Sequence, residues 1–141
     1  QNIKGPTNAV INADKAEIVR QMLISVRSGD NLSIQDRRNY YSRILSTDNI
    51  RPDWIAPEYK DKLTLMTQAE IKQNADTKKD FTYLRFTELK VKGDCVQISL
   101  NNIWAVGKHS KVIYLDGGGS TYEFRKIDGH WVGKYVMGWV S

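Results

Sequence analysis

Between Asp94 and Val140 the chain alternates apolar and polar residues, and this limits what it can fold into more than any other feature. Val96, Ile98, Leu100, Trp104 and Val106 fall on even positions, while Cys95, Gln97, Ser99 and Asn101 lie between them. A period of two belongs to a strand with one buried face. Asn101-Asn102 interrupts the pattern and marks an expected bulge or bend. Gly107-Lys108-His109-Ser110 is an expected turn. Val112 and Tyr114 resume the alternation, as do Tyr122 and Phe124 beyond Gly117-Gly118-Gly119. Asp128-Gly129 is the strongest hairpin signal, because this pair tolerates the positive φ of a two-residue turn. The last strand should carry Trp131, Tyr135, Met137 and Trp139 on one face and Val132, Val136 and Val140 on the other. A strand apolar on both faces is expected to be central, or covered twice, by helices and by a partner chain.

Upstream the periodicity becomes helical. Residues 1–7 read as a flexible leader broken at Gly5-Pro6, and residues 8–141 as one domain. A helix is expected over 8–27, with Ile11, Ile18, Val19, Met22, Leu23 and Val26 as its apolar stripe and Gly29 as its C-terminal cap. Ser33, with Asp36 three residues on, starts a second helix whose buried side is Tyr40, Tyr41, Ile44 and Leu45. Pro52 and Pro57 each suit a first helical turn. They predict a short turn over 52–56 and a helix over 57–74 with Tyr59, Leu63 and Met66 buried. A charged connector over 76–80 leads to a strand over 81–91, and Lys92-Gly93-Asp94 turns the chain into the alternating region. Helices followed by a run of antiparallel strands define an α+β domain, with N-terminal helices packed on an antiparallel sheet.

The net charge is +5, but acids and bases are interspersed, as in Lys60-Asp61-Lys62 and Lys78-Lys79-Asp80. Nucleic-acid binders concentrate positive charge on one face, so no nucleic-acid partner is expected. Cys95 is the single cysteine, which removes intrachain disulfides and thiolate zinc clusters; a buried structural thiol is expected. No apolar run approaches the roughly eighteen residues of a membrane helix, so no membrane span is expected. The opening Gln1-Asn2-Ile3-Lys4-Gly5-Pro6 suits the segment after an export signal, so a periplasmic or secreted location is expected, and otherwise a cytoplasmic one.

The segment from Tyr122 through Glu123-Phe124-Arg125-Lys126-Ile127-Asp128-Gly129-His130-Trp131 to Val132 resembles the closing hairpin of the nuclear transport factor 2-like superfamily. Lys92-Gly93-Asp94-Cys95-Val96 is similar to the Gly-Asp-x-Val turn that opens an earlier strand there, and the helix-first order extends the resemblance over about residues 8–140. The resemblance implies a strongly bent antiparallel sheet wrapped around the N-terminal helix as a cone with an apolar cavity, and a homodimer through the outer sheet face. It embraces ketosteroid isomerases, polyketide cyclases, scaffold domains and exported proteins, and fold alone does not choose among them.

The chemistry is sparse. His109 and His130 fall at turns and are expected to be exposed, whereas a general base must reach a bound substrate. Asp116 and Glu123 are the carboxylates whose strands could face a cavity, although Asp116 beside three glycines also reads as a turn residue. The histidine and cysteine spacing fits no common metal site. Gly117-Gly118-Gly119 lacks the Lys-Ser/Thr and the helix of a phosphate loop, and reads as a kink. No cofactor, metal or catalytic residue is therefore assigned. The aromatic set Trp104, Tyr114, Tyr122, Trp131 and Tyr135 is either core packing or the lining of a pocket for an apolar or planar ligand. The expected function is non-enzymatic binding of a hydrophobic small molecule or a protein partner. The alternative is a small lyase or isomerase acting on a hydrophobic substrate inside the cone.

Overall fold

The computed structural model describes residues 10–28, 42–114 and 117–139. Helix α1 (Asn12–Ser28) places Ile18, Val19, Met22, Leu23 and Val26 on one stripe, all essentially removed from solvent. Asp14 in its first turn accepts a hydrogen bond from the Ile11 N–H (3.3 Å), which satisfies a backbone donor the helix leaves open. After strand β1 (Ile44–Ser46) come a 3-10 turn at Pro52–Trp54 and the single helical turn α2 (Pro57–Lys60). Strand β2 (Thr64–Met66) and helix α3 (Gln68–Thr77) follow. The rest is β: β3 (Phe81–Phe86), β4 (Lys90–Lys92), β5 (Cys95–Ala105), β6 (Gly119–Ile127) and β7 (His130–Trp139).

These seven strands make one open sheet in the order β2-β1-β3-β5-β6-β7, with β4 beside β5. The α+β class holds, but the sheet is mixed, not antiparallel, because β1 runs parallel to both β2 and β3. Its even-numbered face carries Leu84, Phe86, Val96, Ile98, Leu100, Tyr122 and Phe124, which bury against α1. Burying such a side chain contributes roughly 1.5–3 kcal/mol. The opposite face packs Tyr83 and Ala105 against Ile71 and Ala75 of α3, a second and smaller core. Among the described residues no helix is long and apolar enough to cross a membrane.

Two helical expectations are corrected. Ile44 and Leu45 lie in β1, not on a helix; Leu45 is fully buried, paired with Leu65 and Leu84. The Gly29 cap and the helix expected from Ser33 through Tyr41 lie outside the described residues. The helix expected over 57–74 breaks into α2, β2 and α3. Thr64 N–H donates to the Arg43 carbonyl (2.6 Å) and Thr47 N–H to that of Met66 (3.0 Å), so strand pairing captures 64–66. A fresh helix then starts at the capping box of Thr67 and Glu70. Each side chain accepts from the other's backbone N–H (Glu70 N–H to Thr67 Oγ1, 3.2 Å; Thr67 N–H to Glu70 Oε1, 2.8 Å).

The strand expected over 81–91 is interrupted at 87–89, where the Thr87 hydroxyl accepts the Ser99 N–H (2.9 Å). No bulge falls at Asn101-Asn102, where both residues pair in register with β3. The irregularity falls instead in β7. Tyr122 pairs with Tyr135 but Thr121 with Met137, so Val136 is an extra residue. It reverses the facing of the residues beyond it. Trp131 and Tyr135 point to the α1 side, while Met137 and Trp139 point to the other, so the single aromatic row expected along this strand is split. The Asp128-Gly129 turn is as expected, with positive φ at both residues (51° and 81°).

Replacing Thr67 by Ala should cost about 1 kcal/mol through loss of the cap. Urea denaturation should show a lower midpoint with an unchanged slope.

Candidate functional site

The five aromatic residues singled out by sequence fall into two groups. Tyr122, Trp131 and Tyr135 gather on the α1 face, with the Tyr122 and Tyr135 rings edge to face at 5.7 Å. Tyr122 and Trp131 are 2% and 8% exposed and belong to the main core. Trp104 and Tyr114 lie elsewhere and stack on each other, with ring centres 3.9 Å apart. Trp104 stands six residues from Ile98, the partner of Tyr122, which at strand spacing is about 20 Å.

Trp131 is fixed by α1. Its indole N–H donates to Asp14 (2.9 Å), its backbone N–H to Glu17 (3.4 Å), and its carbonyl accepts from Gln21 (2.7 Å). Asp14, Glu17 and Gln21 follow an i, i+3, i+7 spacing, a polar stripe beside the apolar one. That spacing was the signal available in the sequence. Partial burial raises the Asp14 carboxyl, but the Trp131 indole, the Ile11 N–H and Lys126 outweigh it and hold the group below the ordinary carboxylate range.

A second polar cluster fastens the loop between β5 and β6. Asp80 accepts hydrogen bonds from Gly107 N–H (2.9 Å), the Ser110 hydroxyl (2.7 Å) and the Tyr114 hydroxyl (2.8 Å). Asp76 accepts from Lys108 N–H (2.6 Å) and pairs with Lys72 at 3.2 Å. The sequence presents 76–80 as a charged connector, but Asp76 belongs to α3 and both carboxylates are loop anchors. Their donors lower both carboxyls, that of Asp76 chiefly through Lys108 N–H and that of Asp80 chiefly through Gly107 N–H. Accepting the Tyr114 proton in a hydrogen bond raises the phenol in turn. Between this loop and the end of α3 lies an open cleft of about 400 Å³, bordered by Lys78, Lys79, Lys111 and Tyr114.

Comparison with protein-family models, with curated proteins and with solved structures gives no match. The geometry of this chain alone therefore defines the site. Glu123 faces away from Tyr122, in register with Gln97 and Lys134. His109 and His130 are exposed, and Asp116 lies outside the described residues. Cys95 is buried, its thiol directed to the Lys92 carbonyl (3.2 Å). Gly117 lies so close to Asn102 that a Cβ would collide with its carbonyl oxygen, and Asn102 N–H donates to the Gly118 carbonyl (2.8 Å). The glycines thus seat the chain against β5. Among the described residues no three His, Cys, Asp or Glu side chains are grouped to hold a metal.

On the outer face, β7 leaves Val132 50%, Val136 42% and Met137 54% exposed. Among the described strands β7 pairs with β6 alone. Beside these residues Glu123 and Lys134 stand opposite each other across the strands, and the Ser99 and Thr121 hydroxyls bond at 2.6 Å.

Replacing Trp131 by Phe removes a hydrogen bond to a charged acceptor and should cost about 1.5–3 kcal/mol in chemical denaturation. The loop anchors predict an acid dependence. Both carboxyls titrate below their ordinary value of 3.8 in the folded chain, so their contribution is complete above that pH and lost as pH falls through the folded values. The melting temperature of the wild type should therefore fall more steeply below pH 3.8 than that of the double variant Asp76→Asn, Asp80→Asn. Parallel curves would remove the anchoring account.

Proposed function

We propose that this chain is a non-enzymatic binding domain of the nuclear transport factor 2-like kind, and that it acts as a homodimer through the outer face of β6 and β7. One observation carries the reading: Val132, Val136 and Met137 are about half exposed on the outer face of a strand paired on one side among the described residues, with Lys134 between Val132 and the other two. Grouped apolar exposure of this kind marks contact surfaces. The α1 face supports the same choice, because the protein's own side chains occupy it and direct binding to the surface.

The extra residue at Val136 decides the mode of contact. A bulge spoils the regular row of N–H and C=O groups that edge-to-edge pairing needs, so the face, not the edge, is the contact surface. Such a contact is isologous, the same patch on both copies. The neighbouring Glu123 and Lys134 allow each copy to meet an opposite charge on the other. A contact through the outer sheet face is also the one that the resemblance implies.

Sedimentation velocity over a concentration series should give a monomer–dimer equilibrium. The double variant Val132→Glu, Met137→Glu should sediment as a folded monomer, with its circular dichroism unchanged. A wild type that stays monomeric at the highest concentration refutes the dimer.

A further inference from the structure

The loop that borders the 400 Å³ cleft ends in an apolar tip. Ile113 is 96% exposed and Val112 54% exposed. Single exposed apolar residues are ordinary; a half-exposed valine followed by an almost fully exposed isoleucine, on a loop this firmly held, is not. Tyr114, the next residue, is stacked on Trp104 and bonded to Asp80, and Gly107, Lys108 and Ser110 are tied to Asp80 or Asp76. The tip is thus presented by a rigid base.

Around that base the fold gathers positive charge. Lys78 and Lys79 from the end of α3 and Lys111 from the loop border the same cleft, and Lys108 is exposed beside them. Among the described residues the side chains of Lys78, Lys79 and Lys111 have no hydrogen-bond or salt-bridge partner. Asp76 and Asp80 line the same cleft, but Asp76 is paired with Lys72, and Asp80, which keeps its charge while accepting from three neutral donors, offsets only part of the four lysines, so the cluster stays positive.

We propose that this loop docks the protein on an anionic lipid surface. Val112 and Ile113 enter the headgroup region, and Lys78, Lys79, Lys108 and Lys111 meet the lipid phosphates. The shape decides for lipid. An exposed apolar tip needs a medium that yields around it, and the long lysine stems along the cleft beside it reach headgroups while their ammonium groups stay hydrated. The surface is separate from the β7 face and does not depend on dimerisation.

The test is co-sedimentation of the full chain with phosphatidylcholine vesicles, neutral or mixed with phosphatidylglycerol. The wild type should pellet with the mixed vesicles, weakly with the neutral ones, and less as salt rises. The triple variant Lys78→Glu, Lys79→Glu, Lys111→Glu should lose at least roughly fivefold in partition per lysine. A control of equal charge change, Lys60→Glu, Lys62→Glu, Lys90→Glu, should retain most of the binding. Ile113→Ser, which removes no packing, should weaken binding several-fold and keep its salt dependence. Equal losses in the two triple variants, indifference to Ile113→Ser, or no preference for anionic vesicles would each overturn the proposal. So would tighter binding to a soluble acidic polymer than to vesicles.

Discussion

Everything in this fold depends on seating the apolar stripe of α1 on the even-numbered positions of β5 and β6. A strand has only two faces, so a slip of one residue would exchange Ile98, Leu100, Tyr122 and Phe124 for Gln97, Ser99, Thr121 and Glu123. That exchange would remove the main core at once. Register is therefore strongly specified, and the Asp128-Gly129 turn fixes it for the last hairpin. The hydrogen bonds of Asp14, Glu17 and Gln21 to Trp131 then set where along the sheet the helix sits. Apolar burial has no direction, and this polar seam supplies one.

Given that frame, one extra residue changes the character of the molecular surface. Up to Tyr135 the last strand continues the inner face. Past Val136 the same alternation delivers Met137 and Trp139 to the outer face. The Trp139 ring lies over Gly119, where a Cβ would be 2.5 Å from it. A glycine at that position is what lets the ring come this close to the β6 backbone.

The sequence spoke clearly wherever a local period was long enough to be specific. α1, most of β5 and β7, the Asp128-Gly129 turn and the buried state of Cys95 are legible in residue order, whereas Val112 and Tyr114, expected to resume a strand, lie in the loop before β6. It misled where three-residue strands are made by distant partners. Ile44-Leu45-Ser46 and Thr64-Leu65-Met66 are too short to show a period, and only their parallel pairing makes them strands. Thr67 and Glu70 did carry a readable start signal, hidden inside a longer apolar spacing. The facing of Met137 and Trp139 was not legible, because alternation assumes no bulge and nothing in the residues around Val136 announces one. The aromatic set was recognised as a class but not as two separate places. The lysine cluster was missed because 78–79 and 108–111 are far apart in sequence and meet only when Asp76 and Asp80 fold the loop onto α3.

That last meeting bears on how the surface is to be understood. Exposed apolar residues often sit on loops with few contacts, where exposure reflects slack. Residues 107–114 do not fit that description. Their backbone and hydroxyl donors converge on two carboxylates, and an aromatic stack closes the far end. Fixing a loop costs conformational entropy, roughly 1–2 kcal/mol for each residue held in one backbone state. A loop whose task was only to join β5 to β6 could cross with fewer ties. Here the ties come just before and just after Val112-Ile113, so the ordering falls on the base and the exposure on the tip. The inner face of the sheet is committed to the core, whereas this loop combines a fixed shape with uncommitted side chains.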